Sequence, residues 1–284
     1  MHAVVTGASS GIGAALAREL HATGARVTLV ARRRALLERL AAELGQRAEV
    51  VSSDIAKDEW KTWLDAADQR EPIDVFVNNA GINEAGPFAS SKTELGRRTL
   101  EMDLLAPIGL ARDVLPRMLA RRSGVLVNVS SVAAWAPPAG MAWYAAAKAG
   151  LAAFSECLAS ELKGSGVRVL TVYPGPIDNG APQTNYDLYG EGCAAARLPV
   201  GTAANLAREI RYAIARRKRR LVYPRLYAIA RWMPAVARWA VDGGTPTLSR
   251  NALGAGGGDA ARSTNRPAEN VVVSTNAVEG VRND

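Results

Sequence analysis

The chain has 284 residues, 48% of them apolar, which allows one large α/β domain or two small ones around a sizeable core. Its two cysteines, Cys157 and Cys193, and two histidines, His2 and His21, make neither a disulfide framework nor a metal pattern, and they suit a reducing cytosol. The formal net charge of +8 suits nucleic acid, anionic lipid or a phosphorylated ligand as partner, while no apolar run reaches the roughly eighteen residues of an ordinary membrane span.

A strand is predicted at 2–6, starting so early that a signal peptide is not expected. It runs into Thr6-Gly7-Ala8-Ser9-Ser10-Gly11-Ile12-Gly13, which opens a helix at 11–23. Glycine at Gly7, Gly11 and Gly13 lets the backbone turn tightly and approach a pyrophosphate. The helix N-terminus adds free N–H groups and partial positive charge. A second strand, 26–31, leads into Arg32-Arg33-Arg34 at the start of a helix at 33–44. An acidic residue here would bind the adenosine ribose of NAD, whereas a guanidinium suits the 2′-phosphate of NADP. Arg32 is the first choice for that role, Arg33 the next, and Arg34 is expected to face solvent. Ser9 and Ser10 could add hydroxyl contacts. The competing reading is a solvated basic helix start.

A third strand, 48–52, is followed by Asp54, which could accept the adenine amino group or cap the helix at 56–69. A fourth, 73–78, ends in Asn78-Asn79-Ala80-Gly81, where Asn78 reads as structural and Asn79, Ala80 and Gly81 as nearer a cofactor. A long helix, 91–121, leads to a fifth strand, 124–129, and to Ser130-Ser131. In the next helix, 142–164, Tyr144 and Lys148 are one turn apart on the same side. An ammonium beside a phenol favours the phenolate. At about 4 Å and an effective dielectric of about 20 the attraction is about 4 kcal/mol before desolvation offsets much of it. A tyrosine so tuned can act as a general acid/base, and Ser131 could steady the substrate oxygen. Each piece is common alone; their joint order behind a phosphate turn is not. A sixth strand at 167–173, a helix at 201–217 and a short strand at 220–223 complete a repeated β-α-β pattern. The expected fold is an α/β parallel sheet of about seven strands with helices on both faces.

Thr6-Gly7-x-x-x-Gly11-x-Gly13, Asn78-Asn79-Ala80-Gly81, Ser131, Tyr144-x-x-x-Lys148 and Pro174-Gly175, in this order, resemble the single-domain branch of the short-chain dehydrogenase/reductase family over about residues 2–225. The resemblance implies a Rossmann-type, doubly wound parallel sheet, a nicotinamide cofactor and a catalytic group of Ser131, Tyr144 and Lys148, with Lys148 also able to hold the nicotinamide ribose. It implies cofactor contacts by Ile12, Asp54-Ile55, Asn79 and the stretch from Pro174 through Gly175 to Ile177. It also implies a homo-oligomer formed through the helices around 91–121 and 142–164. Two positions depart from the family pattern. Asp103 stands where the family usually has an asparagine of a proton relay, and is expected to replace that amide and help keep Lys148 protonated. Asn179 stands where a threonine often contacts the nicotinamide amide.

The expected layout is a catalytic domain at 1–225, an amphipathic helix at 226–242 and a flexible tail at 243–284, with a substrate lid at 180–199. Trp135, Trp143, Met141 and Ala136-Pro137-Pro138 suggest an apolar pocket, Trp143 being the better core candidate. The expected activity is NADP(H)-dependent reduction of a small hydrophobic carbonyl compound, or oxidation of a secondary alcohol. The alternative is an NADP(H)-binding regulator with weak or no turnover. Segment 221–241 carries an apolar face beside Arg225, Arg231 and Arg238. Packing over the pocket or a second subunit ranks ahead of peripheral membrane contact. The run Arg216-Arg217-Lys218-Arg219-Arg220 lacks a reading module, so no specific nucleic acid is expected. A cytoplasmic location, with membrane association as the variant, follows from these readings.

Overall fold

A computed structural model describes residues 1–57, 60–83, 85–178 and 199–244. Seven strands form one parallel sheet in the order β3-β2-β1-β4-β5-β6-β9. They are β1 (His2–Thr6), β2 (Arg26–Ala31), β3 (Ala48–Ser52), β4 (Ile73–Asn78), β5 (Gly124–Val129), β6 (Val167–Pro174) and β9 (Arg220–Tyr223). The two remaining strands, β7 (Ile177–Asp178) and β8 (Gly201–Thr202), pair separately.

The helices cover both faces, so alternate residues of each strand feed two cores. Val5, Leu29, Val77, Val127 and Val172 pack against α1 (Gly11–His21), α2 (Arg34–Leu44) and α7 (Ala203–Ala215). Val4, Val30, Phe76, Leu126 and Val169 pack against α3 (Lys61–Arg70), α5 (Ala106–Ala120) and α6 (Ala142–Glu161). Burial on both faces is why these strands read as continuous apolar runs.

The helix expected over 91–121 is divided. It forms α4 (Thr93–Leu100), a π-helical turn (Glu101–Leu105) and then α5. The Ala106 amide donates to the Glu101 carbonyl, five residues back. Pro107, having no N–H, cannot restore the α-helical bond to Asp103. The 56–69 expectation resolves into a 3-10 turn, Ile55–Lys57, and α3. After β9 the chain forms a 3-10 turn (Arg225–Ala228), α8 (Ile229–Trp232) and α9 (Pro234–Gly244). The proposed lid, apart from its last residue, lies outside the described residues, as do Asn179 and positions 245–284. Among the described residues no helix is long and apolar enough to cross a membrane.

Because all seven strands run the same way, their C-terminal ends share one edge, where such sheets take ligands. Gly7, Arg32, Asp54, Asn79, Ser131 and Gly175 all follow strand ends on that edge.

Candidate active site

The β1–α1 turn is shaped by close backbone approach. Gly7 and Gly11 have φ of 69° and 55°, in the left-handed region that glycine adopts without strain. A Cβ on Gly13 would lie 2.3 Å from the Gly7 oxygen, so no larger residue fits against the turn. Thr6 locks the turn to the end of β4. Its hydroxyl donates to the Val77 carbonyl and accepts the amides of Asn79 and Ala80, while the Asn79 side chain donates to the Thr6 carbonyl. Ser10 precedes α1 without capping it, and α1 has no acid in its first turn. The uncapped helix start is therefore an anion site in waiting.

Arg33 reaches across to this turn. Its guanidinium donates to the Ser9 hydroxyl at 2.9 Å and the Ser10 hydroxyl at 2.6 Å. Arg32 instead leans 3.9 Å from Asp54, and Asp54 also accepts the Ala56 amide. Arg32 and Arg33 thus diverge, with Arg33 converging on the serines. Ile12 packs partly against the first core, and Ile55 is buried in the second, so the backbone of Ile55 is the part left for a ligand.

Lys148 is buried beneath the sheet edge. Its ammonium donates to the Val129 carbonyl at 3.0 Å and lies 3.1 Å from Asp103 Oδ2. That second contact is an ion pair rather than an aligned hydrogen bond, because Oδ2 has no partner meeting hydrogen-bond geometry. Asp103 is fully buried, and its other oxygen accepts the Ile82 amide at 2.7 Å. Burial pulls the Lys148 pKa down, but the charge of Asp103, then that of a Tyr144 phenolate and the Asp103 contact, push it up. The net result lies above the ordinary lysine value. The Lys148 ammonium sits 5.6 Å from the Tyr144 ring centroid, so the two side chains share one side of α6. Gly81 backs the acid: a Cβ there would lie 2.9 Å from Asp103 Oδ2.

Ser131 caps a 3-10 turn, Val132–Ala134, accepting the Ala133 amide at 3.1 Å, and its hydroxyl faces the Pro174 carbonyl at 3.5 Å. Ser130 anchors the helix, donating to the Lys148 carbonyl at 2.8 Å. One edge therefore gathers a glycine turn with an uncapped helix start, a phenol, a buried ammonium with its counter-ion, and a serine.

Residues 1–187 match the short chain dehydrogenase family. This chain belongs to that family of oxidoreductases. Nodulation protein G of Rhizobium sp. (strain N33) is 38% identical over 215 residues, covering 74% of this chain and 87% of that protein. A short-chain dehydrogenase from Streptomyces avermitilis superposes with a TM-score of 0.74 at 30% identity, covering 85% of this chain and 95% of its own. A short-chain dehydrogenase from Sphingobium yanoikuyae, solved in complex with NADPH, superposes with a TM-score of 0.70 at 28% identity, covering 87% of this chain and 97% of its own.

Within this short-chain dehydrogenase the motif residues account for only part of the site's support. Asn78 donates to Asn128 and to the Pro107 carbonyl, and Asn128 donates to Ser155, so a buried amide chain ties β4, β5, α5 and α6 together. A lone polar residue inside Val127-Asn128-Val129 was the available signal for it. Glu156 binds Arg220, Arg231 and the Tyr173 hydroxyl, a hub with no motif to announce it. Trp143 lies across Gly96 and near Phe88, while Trp135 stacks 4.0 Å from the buried Tyr173 ring.

Proposed function

We propose that this chain uses NADP(H) to interconvert a small, mostly hydrophobic carbonyl compound and its secondary alcohol. The observation that carries the reading is the buried Lys148 ammonium, held by Asp103 and Val129 within 5.6 Å of the Tyr144 ring. The glycine turn has no space for added side chains and its helix start is uncapped, so its residues fit an anionic dinucleotide. Gly7, Ser9, Ser10, Gly11, Ile12 and Gly13 would hold the pyrophosphate. Arg33, with Arg32 beside it, would hold the 2′-phosphate. Asp54 and the Ile55 backbone would meet the adenine, and Asn79, Ala80, Gly81 and the Pro174, Gly175 and Ile177 stretch the nicotinamide half. When bound, NADP(H) supplies or accepts the hydride.

Tyr144 gives its phenolic proton to the substrate oxygen in reduction and takes it back in oxidation. Lys148 stabilises the phenolate left behind and is itself kept charged by Asp103. Ser131 donates a hydrogen bond to the same oxygen as alkoxide character develops. The apolar surface of Trp135 and Pro137 suits a hydrophobic substrate.

The test is NADPH oxidation against a panel of aldehydes, ketones and quinones, with Tyr144→Phe as control. Turnover by the native protein should fall by roughly a hundredfold or more in the variant, the scale of general acid–base catalysis. NADPH binding without turnover across the panel would favour a regulatory role. For the cofactor, Arg33→Ala should weaken NADPH binding roughly tenfold while leaving NADH little changed, as loss of a charged hydrogen bond predicts. Equal losses for both cofactors would reject the phosphate role.

A further inference from the structure

The arm that follows β9 leaves the sheet at its ligand-binding edge, since Tyr223 is in register with Pro174. Its inner side is anchored. The Tyr227 ring covers Gly175 and its hydroxyl donates to the Pro199 carbonyl. Arg231 pairs with Glu156, and Arg238 donates to the Pro137 carbonyl. Its outer side is apolar and open. Leu226, Ile229, Met233 and Val236 are exposed, and Trp232 and Trp239 are 79% and 77% exposed. Half of the large exposed apolar residues among the described residues are thus gathered in this one short segment.

Charge decides what such a face can meet. Residues 225–244 hold three arginines, Arg225, Arg231 and Arg238, against Asp242, a positive excess on the arm itself. Arg231 and Arg238 have acid partners, but Arg225 forms no salt bridge among the described residues. A second copy of this face would bring the same positive excess against itself. The 245–284 segment carries four arginines and four acids and so offers no complementary charge. An anionic bilayer satisfies both halves of the surface: headgroups neutralise the arginines while tryptophan, methionine and aliphatic side chains enter the acyl boundary.

We propose that the outward face of the 225–244 arm docks this protein on an anionic lipid surface. The arm lies on the bilayer rather than crossing it, with Trp232 and Trp239 as the inserted anchors and Arg225 among the headgroup contacts. Because the arm also touches Gly175 and Pro137, docking would set the mouth of the site beside the lipid. The inference concerns binding, and it stands whether or not the catalytic reading does.

The test is co-sedimentation of the full chain with phosphatidylcholine vesicles containing phosphatidylglycerol, and with vesicles of phosphatidylcholine alone. The native protein should pellet with the anionic vesicles, release with added salt and show a blue shift in tryptophan emission. Trp232→Ser with Trp239→Ser should cut partitioning at least about tenfold, because binding scales with buried apolar area. Both side chains are exposed, so the thermal midpoint of the double variant should match the native protein. Arg225→Glu should weaken binding to the anionic vesicles alone. Native protein remaining in the supernatant, or a double variant that pellets equally, would overturn the proposal. So would a native dimer that the double variant converts to monomer in the absence of vesicle binding; that result would assign the face to a second copy.

Discussion

One oxygen of Asp103 accepts the Ile82 amide at 2.7 Å and the other lies 3.1 Å from the Lys148 ammonium. An asparagine can keep the first contact only by turning its NH2 toward the ammonium, and the second only by giving up the Ile82 amide. Asp103→Asn should therefore leave a buried ammonium without a counter-ion, a loss of about 3–5 kcal/mol in urea unfolding. Lys148 is held above its ordinary pKa, so the pair's contribution to stability is complete below the unfolded lysine value and disappears as pH rises through the folded one. In the asparagine variant burial is opposed by the Tyr144 phenolate but no longer by the Asp103 charge, and the alkaline limb of the activity profile should move to lower pH. An unshifted limb with native stability would show that shape alone matters at position 103. The presence of an acid at 103 was legible in the sequence. So was its charge support of Lys148; the Ile82 amide that it also accepts was not, because that bond depends on where the backbone of Ile82 comes to rest. Similarly, sequence alone ranks Arg32 ahead of Arg33, but the side chain that reaches Ser9 and Ser10 is that of Arg33, while Arg32 leans toward Asp54.

At the scale of elements, the start of α6 is set by a tryptophan lying across a glycine. A Cβ on Gly96 would come 2.1 Å from the Trp143 ring, and Trp143 donates to the Ser91 hydroxyl. Gly96→Ala should displace the indole and destabilise the protein by about 1–3 kcal/mol, as overpacking does. Trp143 adjoins Tyr144, so turnover should fall as well. Pairing Gly96→Ala with Trp143→Ala should give less than the sum of the single losses, since both act through one contact. Full additivity in denaturant unfolding would show that the two positions are independent. The helical period of 91–121 was readable, but its division was not. A π-helical turn adds its extra residue over a single turn, a small shift within a long periodic run, and Pro107 was a weak signal because proline is tolerated near helix starts.

For the molecule as a whole, Glu156 on α6 ties its helix to two neighbouring strands of the sheet and to the C-terminal arm. It accepts from Arg220 on β9, Arg231 on α8 and Tyr173 on β6. The Arg220 hydrogen bond, only partly opposed by burial, and the Arg231 bond hold its carboxyl at about 2, below the ordinary glutamate value. A depressed carboxylate stabilises the fold fully above its unfolded pKa and loses that contribution as pH falls toward the folded value. Glu156→Gln should thus be less stable than the native protein at neutral pH, and the gap should narrow from about pH 4.5 toward about pH 2. Urea unfolding across that range checks it; a gap independent of pH would remove the ion pairs as its cause. Losing the hub should also loosen the C-terminal arm, since Arg231 is one of its anchors.

Read residue by residue, the chain already discloses the order of the seven main strands, the parallel sheet, the glycine turn and the chemical inventory of the edge. These follow from local periodicity, from backbone conformations that only glycine adopts freely, and from the rule that parallel strands end on one side. Packing in three dimensions set the remaining partnerships: Asp103 with the Ile82 amide, Arg33 with two serines, Glu156 with two arginines, and the side of the C-terminal arm that faces outward. Distances between groups tens of residues apart are set by how helices pack on the sheet, and side-chain reach of a few ångströms then selects one neighbour over another.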